Sequence, residues 1–103
     1  MNELSFKELQ KQIGENAKAH GWWENRTIPE ALLMIHAEVS EAVESYRRYS
    51  TDFPEELADI VIRVLDFAEE QGIDLYKEII SKHEYNKTRQ TLAQACADPG
   101  RKR

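Results

Sequence analysis

The chain has 103 residues, enough for one domain, and a domain of this size buries only roughly 60–65% of its unfolded surface. Its net charge of −5 argues against general affinity for a nucleic-acid polymer. No apolar run approaches the ~20 residues of a membrane span. Residues 1–12 are mostly polar and carry no signal core, and the single cysteine, Cys96, has no partner for a disulfide or a zinc site. These features lead us to expect a cytoplasmic protein, with no membrane contact, that gains core by pairing with further copies of itself.

Four helices are expected in chain order. The first opens at Ser5-Phe6-Lys7-Glu8, an S-x-x-E capping box in which side chains satisfy free backbone N–H groups. Phe6, Leu9, Ile13 and Ala17 then recur at helical spacing, and Gly21 stops the helix. A short loop with Trp22 and Trp23 follows. The second helix opens at Thr27-Ile28-Pro29-Glu30, with proline where a missing N–H costs little, and runs to about Arg48. The third starts at Asp52-Phe53-Pro54-Glu55 with an acidic cap and ends near Gln71, before Gly72. Asp74 caps the fourth, which is expected to reach at least Arg89. No segment has the period-2 alternation of a strand, so the fold is all-α. Residues 1–93 form the domain, and 94–103 read as a basic tail.

The second and third helices carry the chemistry. Glu38-Val39-Ser40-Glu41 is an E-x-x-E and Glu56-Leu57-Ala58-Asp59 an E-x-x-D, with fourteen residues between Glu41 and Glu56. Residues three apart share a helix face, so each pair can converge on one ion. A lone E-x-x-E is usually a solvated face. Here helix three is apolar over most of its circumference, and its narrow polar sector holds Glu56, Asp59, Arg63 and Asp66. Such a helix is expected to be buried by several neighbours, with the polar sector lining a cleft. Clustered carboxylates need a cation, and all-oxygen ligation suits Mg²⁺, with Mn²⁺ as substitute. A di-iron site would use E-x-x-H, and none of the three histidines lies three residues after a glutamate.

Lys82, Asn86 and Arg89 fall at i, i+4 and i+7 on the fourth helix, where they can grip phosphates. Of Trp22 and Trp23, one is expected to stack on a base and the other to pack. His36, beside the apolar stripe of helix two, reads as a structural histidine. Asp66 reads as a support for the site or as a partner of Arg63 or a second subunit.

These residues resemble the MazG-like nucleoside triphosphate pyrophosphohydrolases, in particular their short single-domain type. The likeness lies in the E-x-x-E and E-x-x-D pairs and in the ordered blocks around them. Those blocks are Gly21-Trp22-Trp23, Ile35 to Ala42, Glu55 to Arg63, and Glu84-Tyr85-Asn86-Lys87-Thr88-Arg89. It spans about residues 3–89. Relatives usually continue with a proline after the last block, and Gln90 to Arg103 reads differently.

The resemblance implies a four-helix fold completed as a dimer or a dimer of dimers. It implies hydrolysis of (deoxy)nucleoside triphosphates to monophosphate and pyrophosphate, in the manner of nucleotide-pool control. It also implies Mg²⁺ held by Glu38, Glu41, Glu56 and Asp59. Within that set Glu41 and Glu38 are the candidate catalytic carboxylates, with Glu41 the first choice for accepting a proton. The non-enzymatic alternative is a helical dimerisation module whose acidic strip binds a basic partner. A dimeric dUTPase-like activity ranks lower, because such chains are usually longer.

Overall fold

The three-dimensional structure is a computed structural model that describes residues 3–89 and residue 94. The basic tail read over 94–103 therefore lies almost wholly outside the described residues. Those residues form four helices and no strand: α1 (Phe6–Ala19), α2 (Ile28–Arg47), α3 (Phe53–Glu70) and α4 (Leu75–Thr88).

Local chemistry sets the helix ends. The Ser5 hydroxyl accepts the Glu8 N–H at 3.1 Å. Thr27 Oγ1 accepts the Glu30 N–H at 3.2 Å and donates back to the Glu30 carboxylate at 3.0 Å. Asp74 Oδ1 accepts the Lys77 N–H at 3.1 Å. Helix α1 closes with Gly21 at φ +71°, where the Gly21 and Trp22 N–H groups bond the Lys18 and Ala17 carbonyls. This left-handed turn suits glycine because it has no Cβ. Helix α3 ends the same way at Gly72.

Two helix ends depart from expectation. Asp52 sits before α3 but its side chain makes no capping bond, because its own backbone is helical rather than extended. A residue in that conformation does not turn its carboxylate over the first turn. Helix α4 stops at Thr88, and Arg89 is extended at ψ 144°.

Helix α3 is the centre of the molecule and packs against both α1 and α2. Small residues let the helices approach: Ala17, Ala31, Ala42 and Ala68 are buried, with Leu65 as the largest fully buried side chain. Gly14 of α1 lies against Glu69 of α3, and an added Cβ there would stand 2.9 Å from the Glu69 Cβ. Beside it the buried Gln10 amide donates to Glu69 Oε1 at 3.2 Å and to the Ile73 carbonyl at 2.9 Å.

Burial within one chain is less complete than the sequence pattern implies. Leu57, Val61 and Ile62 of α3 are exposed, as are Ile28, Leu32, Leu33, Val39 and Val43 of α2. Helix α4 has no buried residue. Its first turn touches α1 through Tyr76 and Phe6, with ring centroids 5.7 Å apart. The Lys7–Asp74 ion pair at 3.2 Å adds to that junction. Among the described residues no helix is long and apolar enough to cross a membrane.

Candidate metal centre

Helices α2 and α3 are joined by a short turn and run side by side, so residues before the turn face residues after it. The register brings one oxygen each of Glu38, Glu56 and Asp59 within 4.8 Å of one another. Glu38 and Glu56 are half-buried and Asp59 is exposed, so the group sits at the mouth of the α2/α3 groove. Glu41 stands outside this triple but is coupled to it. A hydrogen bond with Glu38 and then the charge of Glu38 raise its pKa above the usual glutamate value. Desolvation and the charges of Glu56 and Asp59 add to the rise. The four carboxylates read from the sequence thus share one electrostatic neighbourhood.

The donor set fits a hard divalent cation. All ligand atoms are carboxylate oxygens, which suits Mg²⁺ or Mn²⁺. Glu56 Oε2 is buried with no hydrogen-bond partner, and a buried acceptor left unpaired is costly unless something donates to it or coordinates it. Like charges raise one another's pKa, as seen at Glu41, and a bound cation removes that repulsion.

Arg63 lies beside the cluster, one turn beyond Asp59 on α3. Its Nε donates to Glu38 Oε1 at 3.2 Å. Its guanidinium stands over the Trp22 ring at 5.5 Å from the centroid. Arg63 therefore joins the carboxylates to an indole 36% exposed to solvent. Only the i+4 spacing of Arg63 from Asp59 hinted at this. The contact with Glu38 depends on the register between two helices.

Trp23 has the other fate. Its Nε1 donates to Asp66 Oδ1 at 2.8 Å, and its ring packs near Phe67. Arg26 covers that ring at 5.2 Å and pairs with Asp66 at 3.9 Å. Asp66 is 2% exposed, so its charge is balanced inside the fold by Trp23 and Arg26. The pairing of Asp66 with Arg63 weighed from the sequence does not occur, because Arg63 is turned to Glu38. His36 also departs from expectation: it is exposed, not packed.

Lys82, Asn86 and Arg89 are all exposed on or at the end of α4. Lys82 and Asn86 line a shallow cavity with Ile79 and His83 of the same helix, and Lys82 stands over the Tyr85 ring at 4.8 Å. Helix α4 starts from the end of α3 opposite to Glu56, and the Tyr76–Phe6 ring contact ties its first turn to α1. Among the described residues no hydrogen bond or ion pair joins this cationic stripe to the chain's own carboxylates, and the cavity it lines is formed by α4 alone.

A second cavity, of about 590 Å³, opens between α2 and α3 on the turn side of the carboxylates. Glu41 and Glu56 line it together with Ser45 and Arg48, which follow Glu41 at i+4 and i+7. In the sequence only that spacing marks Ser45 and Arg48, and it does not by itself set them apart from a solvated helix face.

Compared with protein-family models, with curated proteins and with solved structures, the chain matches none. The functional reading therefore rests on these residues and their geometry.

Proposed function

We propose that this chain is a Mg²⁺-dependent nucleoside triphosphate pyrophosphohydrolase of the MazG-like kind. It would convert (deoxy)nucleoside triphosphate and water to nucleoside monophosphate and pyrophosphate. The observation that carries the proposal is the convergence of Glu38, Glu56 and Asp59 from two helices beside an arginine-backed indole. Glu38, Glu41, Glu56 and Asp59 would hold the ion. When bound, Mg²⁺ supplies local positive charge for the phosphates and acidity for a bound water.

The chain's own residues do the rest. Trp22 offers a half-exposed face on which a base stacks. Arg63 ties that face to Glu38, and its remaining N–H groups are available to a phosphate oxygen. The span from the indole through the guanidinium to Glu38 is shorter than a nucleoside triphosphate from base to γ-phosphate. A nucleotide stacked on Trp22 can therefore reach the carboxylates with its phosphate chain, and we place the α-phosphorus there. Attack there breaks the α–β bridge and releases pyrophosphate. Glu41, which stands outside the closest triple of carboxylates, takes the proton of the attacking water. Lys82, Asn86 and Arg89 add phosphate contacts only if a second copy delivers α4, which ties this role to a dimer or a dimer of dimers.

The test is a panel of nucleotides with Mg²⁺, scored for pyrophosphate against phosphate. Pyrophosphate release that Glu41→Gln or Asp59→Asn abolishes, with helix content unchanged, is the expected result. Full activity in both variants would remove the carboxylates from the reaction. No product from any nucleotide would favour the other reading, a helical dimerisation module whose acidic strip docks a basic partner.

A further inference from the structure

The loop between α1 and α2 is fastened on both sides of Trp22. On the α1 side the Trp22 N–H donates to the Ala17 carbonyl at 3.0 Å. On the α2 side Trp23 Nε1 donates to Asp66 Oδ1 at 2.8 Å, and Arg26 Nη1 lies 3.9 Å from Asp66 Oδ2. Arg26 also covers the Trp23 ring, so the two partners of Asp66 hold each other. Both oxygens of a carboxylate only 2% exposed are thus turned to one loop.

Stability alone does not account for a charge in that position. Withdrawing a carboxylate from water is costly, and exchanging a buried ion pair for apolar side chains is often neutral or stabilising. Apolar burial has no direction, however, whereas a hydrogen bond does. The bond from the indole N–H fixes how Trp23 lies, and the guanidinium contact fixes where the loop turns toward α2. Helix α3 then aligns this anchor with the site. Arg63 and Asp66 are three residues apart and share a helix face. Arg63 stands over Trp22 while Asp66 holds Trp23, so two neighbours on the helix engage two neighbours in the loop. Arg63 in turn donates to Glu38 of the carboxylate group at 3.2 Å. Trp22 itself is 36% exposed and makes ring contacts with Arg63 and His20, which tolerate sliding.

We propose that Asp66 is a positioning residue for the substrate. It holds Trp23 and Arg26 so that Trp22 keeps its place beside Arg63, at a set distance from the carboxylates. Asp66 touches no part of the nucleotide and acts through Trp22. Its effect on the reaction rests on the function proposed above; the fastening of the loop does not. Loss of the anchor removes a contact made equally before and during the reaction, which raises KM and spares kcat.

The experiment compares Asp66→Leu and Asp66→Asn with the unaltered full-length chain, by amide hydrogen exchange and by kinetics with nucleoside triphosphates and Mg²⁺. Leucine removes both contacts, whereas asparagine keeps an acceptor for Trp23 but no charge for Arg26. In Asp66→Leu the Glu24 and Arg26 amides, which bond the Gly21 and Trp23 carbonyls, should exchange on the order of tenfold faster, while amides inside α1 and α3 keep their protection. KM should rise on the order of tenfold with kcat little changed, within the worth of one stacking contact. Asp66→Asn should fall between. In a Trp22→Ala chain the leucine substitution should add nothing to KM, because the group it positions is gone. An equal rise in KM in both backgrounds, or an unchanged KM with a faster loop, would overturn the proposal. So would a loss of kcat at constant KM. If Asp66→Leu does not fold, Arg26→Gln removes the charge contact and leaves the Trp23 bond; it should raise KM in the same sense, and an unchanged KM there also overturns the proposal. An unaltered chain that turns over no nucleotide would sink the proposed function instead. The anchor is then decided by exchange alone, and unchanged loop exchange in Asp66→Leu would remove it.

Discussion

Trp22 and Trp23 are adjacent in sequence and opposite in surroundings, and this contrast can be tested by substitution. Trp23 is bonded to a buried Asp66, so Trp23→Ala removes a large packed ring and strips a donor from an interior charge. We expect a loss of about 3–5 kcal/mol, read as a fall in unfolding midpoint. Trp22→Ala, which loses the Arg63 and His20 contacts but strips no donor from a buried charge, should lower the midpoint less and raise KM, since stacking on one ring is worth ~1–3 kcal/mol. The reverse pattern would exchange their roles. Glu41 gives a second prediction. Its pKa is raised above 4.5, so the folded chain holds this proton more tightly than the unfolded chain does. That contribution to stability is full below 4.5 and is lost as pH rises through the raised value. The metal-free Tm should therefore fall across that interval, and Mg²⁺ or Glu41→Gln should flatten the slope. Asp74 acts in the opposite sense. The Lys77 N–H and then Lys7 hold its pKa below 3.8, so its contribution is lost only as pH falls through that lower value. The two effects occupy separate pH windows. A metal-free Tm that is flat above 4.5 would mean that the carboxylates do not repel one another as their geometry implies.

Helix existence was legible because each start carries its own chemistry. Ser5, Thr27 and Asp74 each accept the backbone N–H three residues on, as their spacing implies. Asp52 has the same sequence signature and fails, because its conformation is set by the tight turn from α2. In that turn Tyr49 takes φ +55°, a conformation more natural to glycine, and no sequence rule would have put tyrosine there. The carboxylate pairs were legible for the same local reason, since i and i+3 share a face. The Arg63–Glu38 bond, the Trp23–Asp66 bond and the cavity at Ser45 and Arg48 were not. Each depends on how far one helix is slid along another, and residue spacing within a helix does not encode that. Gly14 shows where the α1/α3 register is set. Its missing side chain admits Glu69, and the neighbouring Gln10 bonds both Glu69 and Ile73. Gly14→Ala improves helix propensity and, in an isolated helix, would stabilise it. Here the Cβ meets the root of the Glu69 side chain, so we expect a net loss of about 1–3 kcal/mol by chemical denaturation. A more stable Gly14→Ala variant would show that the two helices can separate at no cost.

At the scale of the whole molecule, one chain leaves much apolar side-chain surface uncovered among the described residues. Helix α4 has no buried residue, and an isolated helix of its length is marginal in water. Leu32, Val39 and Val43 on α2 and Leu57 and Val61 on α3 are exposed on the two helices that hold the carboxylates. The sequence pattern, by contrast, has α3 covered nearly all round. Both statements hold if a second copy supplies the missing cover, and the same contact is what the α4 stripe needs to reach phosphates. We therefore expect light scattering at micromolar concentration to give a dimer or tetramer. Val43→Glu together with Val61→Glu should shift it toward monomer and lower the unfolding midpoint, because both side chains are about half exposed in the single chain. Activity should fall with the oligomer. The site can also be split between chains to test this. Mixing an inactive Glu41→Gln chain with an inactive Lys82→Ala/Arg89→Ala chain should restore part of the activity if α4 serves the carboxylates of another copy. No recovery on mixing, with mixed oligomers demonstrated, would mean that α4 does not serve another copy's carboxylates. A stable monomer with full activity would show that the exposed faces serve some other purpose.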